Sequence, residues 1–205
     1  MPILVVFLAV GFGETVGQVL LIRELLINFQ GNELSLGVIL ACWLLVTALG
    51  SWGLGRYAEK LPAKSSLFVF TVILYALVLI TQLLLARGVS AIIGVEPGEV
   101  AGLASMFYAC LLVLTPLCLL HGFQFPLACR ILAVQKGEAP VQVGRVYIAE
   151  ALGGVAGGAL FTYFLVQYFD HLEIAVFTVI LNLAASLFLL TPWLSVRFLL
   201  RKIAV

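Results

Sequence analysis

Glu14 stands in an otherwise apolar stretch running from Ile3 to about Ile22, with Gln18 one helical turn further on and Gly11, Gly13 and Gly17 around it. On a helix Glu14 and Gln18 share a face, and the small residues let a second helix approach closely there. About a dozen residues into a membrane-crossing helix, a carboxylate lies near the bilayer midplane, where an ionised group costs at least about 2.5–3.5 kcal/mol. Two roles stay open for Glu14: a proton- or cation-binding carboxylate, or a structural hydrogen-bonding group turned toward a neighbouring helix.

A second polar set is His121, Gln124 and Arg130, with Pro126 freeing a backbone carbonyl between them. His121 and Gln124 are three apart and face one way. They could line a path for a small solute, or His121 is a satisfied packing residue. His121 and His171 do not read as a bis-His haem pair, because one sits at mid-depth and the other in an outer turn of a different helix. A third set opens with Arg145, Tyr147 and Glu150 and runs into Gly153, Gly154, Gly157 and Gly158. The two overlapping glycine pairs predict close helix packing. A phosphate-cradling loop would need a preceding strand and a following Lys-Ser/Thr, and neither is present. Glu150 is within reach of a salt bridge to Arg145 or Arg130. Arg23 and Glu24, near the outer end of the first stretch, read as snorkelling and locally paired charges. No Ser-His-Asp set, metal-ligand spacing or loop carboxylate cluster occurs. The sequence therefore leads us to expect no catalytic residue, no metal and no cofactor in this chain.

The elements that position these groups follow from composition. Of 205 residues, 63% are hydrophobic and only 10% charged, with a net charge of +1. The mean hydropathy is +1.20. A soluble domain carries about 25% charged residues. The balance excludes a soluble enzyme, a disordered chain and a nucleic-acid binder. The four cysteines, Cys42, Cys110, Cys118 and Cys129, all fall in apolar runs and imply no disulfide framework.

A hydrocarbon core needs roughly 20 apolar residues per helical span. Six stretches qualify: Ile3 to Ile22 with a helical continuation to Phe29, Leu34 to Leu54, Leu67 to Ala86, Leu103 to Val134, Val146 to Tyr168 and Ile174 to Leu194. Pro116 and Pro126 predict that the fourth is kinked or broken. Gln135 to Gly144 reads as a polar loop, and Arg197 to Val205 as a short basic tail. The predicted fold is an all-α polytopic membrane bundle of about six transmembrane helices, a single transmembrane domain over 1–205. With both termini cytoplasmic, Arg56, Lys60, Lys64, Arg130, Lys136, Arg145, Arg197, Arg201 and Lys202 all lie inside, nine of the eleven basic residues. Glu33, Glu96, Glu99, Asp170 and Glu173 then fall in the outer turns, and Arg87 is the clear exception. The expected setting is the inner (plasma) membrane. The expected partners are the lipid bilayer and other membrane or cytoplasmic subunits, without nucleic acid.

Four stretches carry a resemblance. They are Gln18 to Arg23 with Phe29 and Gly31; Ala48 to Arg56, holding Gly50, Gly53 and Gly55; His121-Gly122-Phe123-Gln124-Phe125-Pro126 through Arg130; and Gly144-Arg145 through Glu150 to Gly157. In order and placement they resemble the membrane domain of the membrane-bound spermidine synthase-like proteins, also described as fused major-facilitator/spermidine synthase proteins. The second stretch also resembles the loop motif after span two of major facilitator transporters. The resemblance covers essentially the whole chain. It implies a multi-helix inner-membrane domain ahead of a cytoplasmic aminopropyltransferase domain that binds decarboxylated S-adenosylmethionine and putrescine. That soluble domain's binding loop and acidic cluster are absent from these residues, so its polyamine chemistry is implied only together with the missing domain. One departure lies within the match: some members carry Asn where Glu150 stands. Three functions remain open: a membrane domain or subunit that anchors or serves a partner, a small transporter-like module lined by Glu14, Gln18, His121 and Gln124, and a structural subunit of a larger membrane complex.

Overall fold

The structure, a computed structural model, describes residues 2–57, 64–95, 101–136 and 139–203. Lys60, Pro62, Glu96, Pro97, Gly98 and Glu99 lie outside the described residues, as do the side chains of Lys64, Lys136, Arg197, Arg201 and Lys202.

The chain folds into helices α1 (Pro2–Asn28), α2 (Glu33–Leu49), α3 (Lys64–Arg87), α4 (Val89–Ile92), α5 (Leu103–Lys136), α6 (Ala139–Leu160), α7 (Val166–Tyr168) and α8 (His171–Ile203). Wider π turns extend α2 through Gly50–Leu54 and join α6 to α7 through Phe161–Leu165. Among the described residues there is no strand. Among the described residues six helical segments are long and apolar enough to cross a bilayer, and backbone groups in hydrocarbon must find their partners within the segment. Large apolar side chains point outward on several helices, among them Leu44, Leu77, Val155 and Tyr163. Water would penalise such a surface and lipid does not, so the chain is a multi-pass membrane protein.

Local signals set the ends. Gln30-Gly31-Asn32 closes α1 with two left-handed residues, Gln30 (φ 61°) and Gly31 (φ 64°). The Gly31 amide donates back to the Leu26 carbonyl (2.8 Å). Asn32 then caps α2, its Oδ1 accepting from the Ser35 amide (2.7 Å). Three expectations need correction. The fourth span is not broken: α5 is one continuous helix containing both Pro116 and Pro126. A helix absorbs each proline by giving up one hydrogen bond, and packing holds the rest in register. The loop expected at Gln135 to Gly144 is mostly helix, because α5 runs to Lys136 and α6 starts at Ala139. Likewise the basic tail is not a separate segment, since α8 continues to Ile203.

Two close crossings organise the bundle. The α1–α6 pair forms the most extensive helix interface. In it Gly153 lies on the Leu8 carbonyl, and Gly11 on the Glu150 main chain. A Cβ at Gly157 would come within 2.8 Å of the Phe12 carbonyl oxygen. The second crossing joins α2 to α5: Gly122 lies on the Thr47 carbonyl, and a Cβ at Gly50 would meet the Leu119 carbonyl oxygen at 2.7 Å. In a membrane, where apolar burial does not drive helices together, such backbone contact supplies the packing.

The apolar interior is split in two. One cluster gathers Val16, Leu20, Leu25, Val46, Leu79, Val113 and Phe161 with their neighbours. The other gathers Val6, Phe7, Val10, Phe68, Val72, Leu127 and Val146. Along α1 the break falls between Val10 and Val16, and along α5 between Cys118 and Phe123. Glu14 and His121 sit in that break.

Candidate functional site: a polar layer between two apolar cores

Glu14 is 6% exposed and His121 Nδ1 lies 3.0 Å from its Oε1. The separation is that of an ion pair, yet Nδ1 has no aligned hydrogen-bond partner. The carboxylate therefore lies off the ring N–H direction, and the contact is one of charge and distance. The His121 ring leans against Trp43, with ring centres 6.1 Å apart.

Groups from every other spanning helix converge at this level. From α3, Tyr75 is fully buried, and its hydroxyl fills the space beside Gly17, 2.8 Å from where a Cβ would stand. From α8, the Asn182 amide covers Gly13. From α6, Glu150 stands in electrostatic contact with Glu14. From α2, Thr47 sits beside Cys118 of α5. The glycines of α1 explain this convergence: a side chain at position 13 or 17 would displace Asn182 or Tyr75.

The layer is short of partners. Among the described residues, Thr47 Oγ1, Tyr75 OH, Asn182 Oδ1 and both side-chain polar atoms of Gln124 are buried without a hydrogen-bond partner. Pro126 adds to this, since it offers no N–H to the Gly122 carbonyl four residues back. A buried unsatisfied polar group costs about 1–3 kcal/mol.

A second buried glutamate on α1 behaves differently. Glu24 Oε1 accepts from Arg87 Nε (3.2 Å) and lies 2.7 Å from His171 Nδ1. Arg87 Nη2 also reaches Asp170 Oδ2 (3.5 Å). Beside them Asn28 Nδ2 donates to the Glu24 and Ala86 carbonyls (2.8 and 3.0 Å), and Ser90 Oγ donates to Asn28 Oδ1 (2.7 Å). This clamp ties α1, α3 and the start of α8 together. It explains Arg87, the arginine that broke the charge pattern: its partners are at that end.

Several expected positions are reassigned. Glu24 does not pair with Arg23; the Arg23 guanidinium lies over the Phe161 ring, 5.9 Å from its centre. Glu150 has no salt bridge to Arg145, which donates instead to Gln142 Oε1 (3.5 Å). Its electrostatic neighbour is Glu14, because the close approach at Gly11 turns that face of α6 toward α1. Gln18 is half-buried and no hydrogen bond joins it to Glu14. Arg130 is half-buried on α5, and Gln124 is buried at 1% exposure. Gly153, Gly154 and Gly157 meet α1, Gly154 through the Thr15 hydroxyl, while Gly158 has only an ordinary contact with Thr15. The four cysteines are free and buried.

Tyr75, Thr47 and Asn182 were not legible as site residues. Asn182 carried a usable signal, a lone amide in the middle of an apolar span. Thr178 and Ser186 on the same helix satisfy themselves on the Ile174 and Asn182 carbonyls (2.8 and 2.7 Å). Asn182 Oδ1 does not.

Comparison of the chain with protein-family models, curated proteins and solved structures finds no match.

Proposed function

We propose that this chain is a transporter-like membrane module in which Glu14 and His121 form a proton-accepting centre at mid-membrane. One contrast carries the reading. Of two buried glutamates on α1, Glu24 is clamped by an arginine and a histidine, whereas Glu14 meets one misaligned imidazole and a second carboxylate. A purely structural carboxylate in hydrocarbon is expected to be satisfied as Glu24 is. A carboxylate left beside an imidazole and a tyrosine hydroxyl can take up and release a proton as its surroundings change.

The test is proton flux into proteoliposomes that enclose a pH-sensitive dye. The parent should pass protons under an imposed gradient. Glu14→Gln and His121→Gln should fold and lose that flux. Equal flux in parent and Glu14→Gln would leave the structural-subunit reading.

A second reading is compatible with the first: the chain is the membrane part of a spermidine synthase-like protein in the inner membrane, serving a cytoplasmic partner. Its support is that the third stretch packs on the second, and the fourth on the helix that carries the first. Gly122 of the third lies against Thr47 and Ser51 at the second, and Glu150 and Gly153 of the fourth lie against the first span. Reading the gene beyond codon 205 for an aminopropyltransferase-like domain, and mass spectrometry of co-purifying proteins for a separate one, test it. Neither turning up would remove this reading and leave the first intact.

A further inference from the structure

We propose that a cavity between the end of α6 and the start of α8 binds an organic amine with one apolar chain, in its ammonium form. The chain leaves α6 through the π turn Phe161–Leu165, passes α7, and reverses at Phe169 and Asp170 into α8. Such turns are frequent at functional sites. The cavity in this corner has a volume of about 320 Å³, within the lower range of small-molecule pockets. Leu165 and Ile174 are its buried lining. Phe164, Phe169 and Phe177 line it with half-exposed rings, the first two with centres 6.3 Å apart. Leu160 lies about two turns deeper in the span than the reversal.

Polarity along the cavity selects an amphiphile. Among the described residues that line it, Glu173 alone is charged. It stands beside the reversal that joins the spans Val141–Tyr168 and His171–Phe188, at the boundary of the apolar segments. The cavity is therefore polar at one end and apolar along its depth. Glu173 Oε2 accepts from the Asp170 amide (2.9 Å), the bond of a capping box. That bond holds the carboxylate in place without exhausting it, since an ionised carboxylate offers about four acceptor positions. The charges at this end make the head group cationic. Asp170 adjoins Glu173, and the nearby bases, Arg87 and His171, are both on Glu24 (3.2 and 2.7 Å). Arg87 Nη2 also reaches Asp170 (3.5 Å), and neither base lines the cavity. An anionic head would meet carboxylates there. An ammonium gains the Glu173 carboxylate and the faces of the phenylalanine rings. A zwitterionic phospholipid would bring a phosphate to the same acidic rim, so the occupant is a free amine.

The experiment places the chain in phosphatidylcholine nanodiscs at neutral pH and adds an alkylamine carrying a photoreactive diazirine in its chain. After illumination, mass spectrometry should find the label within residues 160–177. Competition then uses an unlabelled amine, alcohol and carboxylic acid of the same chain length, each at the same membrane-bound concentration. The amine should displace the label about three- to tenfold better than the alcohol, the scale of one ion pair and an aromatic contact at a partly exposed site. The carboxylic acid should be the weakest of the three. Glu173→Gln keeps the capping bond, because glutamine serves that position as glutamate does, and should bring the amine down to the level of the alcohol. Phe177→Ala should weaken amine and alcohol alike. If Glu173→Gln does not fold, the competition series in the parent decides. Label placed elsewhere, an amine no better than the alcohol, or an advantage that survives Glu173→Gln overturns the proposal. Equally efficient displacement by phosphatidylethanolamine added to the disc overturns it in favour of a bilayer lipid. The readout involves no proton flux, so this site and the mid-membrane centre stand or fall separately.

Discussion

Glu14 Oε1 and His121 Nδ1 lie 3.0 Å apart without an aligned hydrogen bond, in a layer that separates the two apolar cores. Shape and charge at this position are separable by substitution. Glu14→Gln keeps the volume and should melt close to the parent. Glu14→Leu also strips His121 of a polar neighbour and should cost about 1–3 kcal/mol of stability. Melting in detergent, read beside flux in liposomes, checks both. A Glu14→Leu variant as stable as Glu14→Gln would mean that the layer needs no polar group there.

The glycines form a graded series. A Cβ at Gly153 or Gly122 runs into a backbone carbonyl of the facing helix, which cannot move aside. At Gly154 it meets the Thr15 hydroxyl at 2.7 Å, the end of a side chain that can rotate. At Gly158 the contact, 3.8 Å from Thr15 Cγ2, is ordinary. Alanine at Gly153 and Gly122 should therefore destabilise by about 1–3 kcal/mol, as overpacking does. Gly154→Ala should cost less, and Gly158→Ala should be close to neutral. Melting temperatures in that order test the packing, and Gly157→Leu should fail to assemble α1 on α6.

The clamp around Glu24, Arg87 and Asp170 sets a dependence on acid. The backbone amides of Leu172 and His171, and then Arg87, hold the Asp170 carboxyl below its ordinary value. A depressed carboxyl stabilises the fold fully above its unfolded pKa, about 3.9, and the contribution is lost as pH falls through the lower folded value. Asp170 is fully exposed, so the effect is small. Asp170→Asn should flatten the acid limb of the stability curve and leave neutral pH almost unchanged. Glu24→Leu should act at neutral pH, because it leaves Arg87 and His171 facing each other without their shared carboxylate, at a cost of about 2–3 kcal/mol. Urea or thermal melts from pH 3 to pH 7 distinguish the two.

The basic residues predict that both termini face the cytoplasm. Single cysteines at Tyr57 and Gln30, in a background lacking the four native ones, should then label oppositely with an impermeant thiol reagent on intact cells. Gln30 should react and Tyr57 should not. The reverse pattern would invert the topology and put the Glu24–Arg87–His171 clamp on the inner side.

Composition alone determined the class of this molecule, because so few charges leave no route to a water-soluble surface. Length and hydropathy placed the six spans, since a bilayer demands a minimum run of apolar residues whatever the fold. Glu14, His121 and Glu150 were each legible as groups that hydrocarbon penalises, and Gly153 and Gly157 as a packing face. Which of them meet was decided by tertiary structure. A helical period tells which face a residue occupies and not which helix will cover it. The Glu24–Arg87 pair lies 63 positions apart in sequence, and the register that joins them is set by helix crossings at Gly11, Gly153 and Gly122. Those crossings turned Glu150 away from Arg145 and toward Glu14, and brought Tyr75 and Asn182 onto Gly17 and Gly13. Backbone contact at a glycine depends on two helices at once, so one sequence segment read singly carries only half of it.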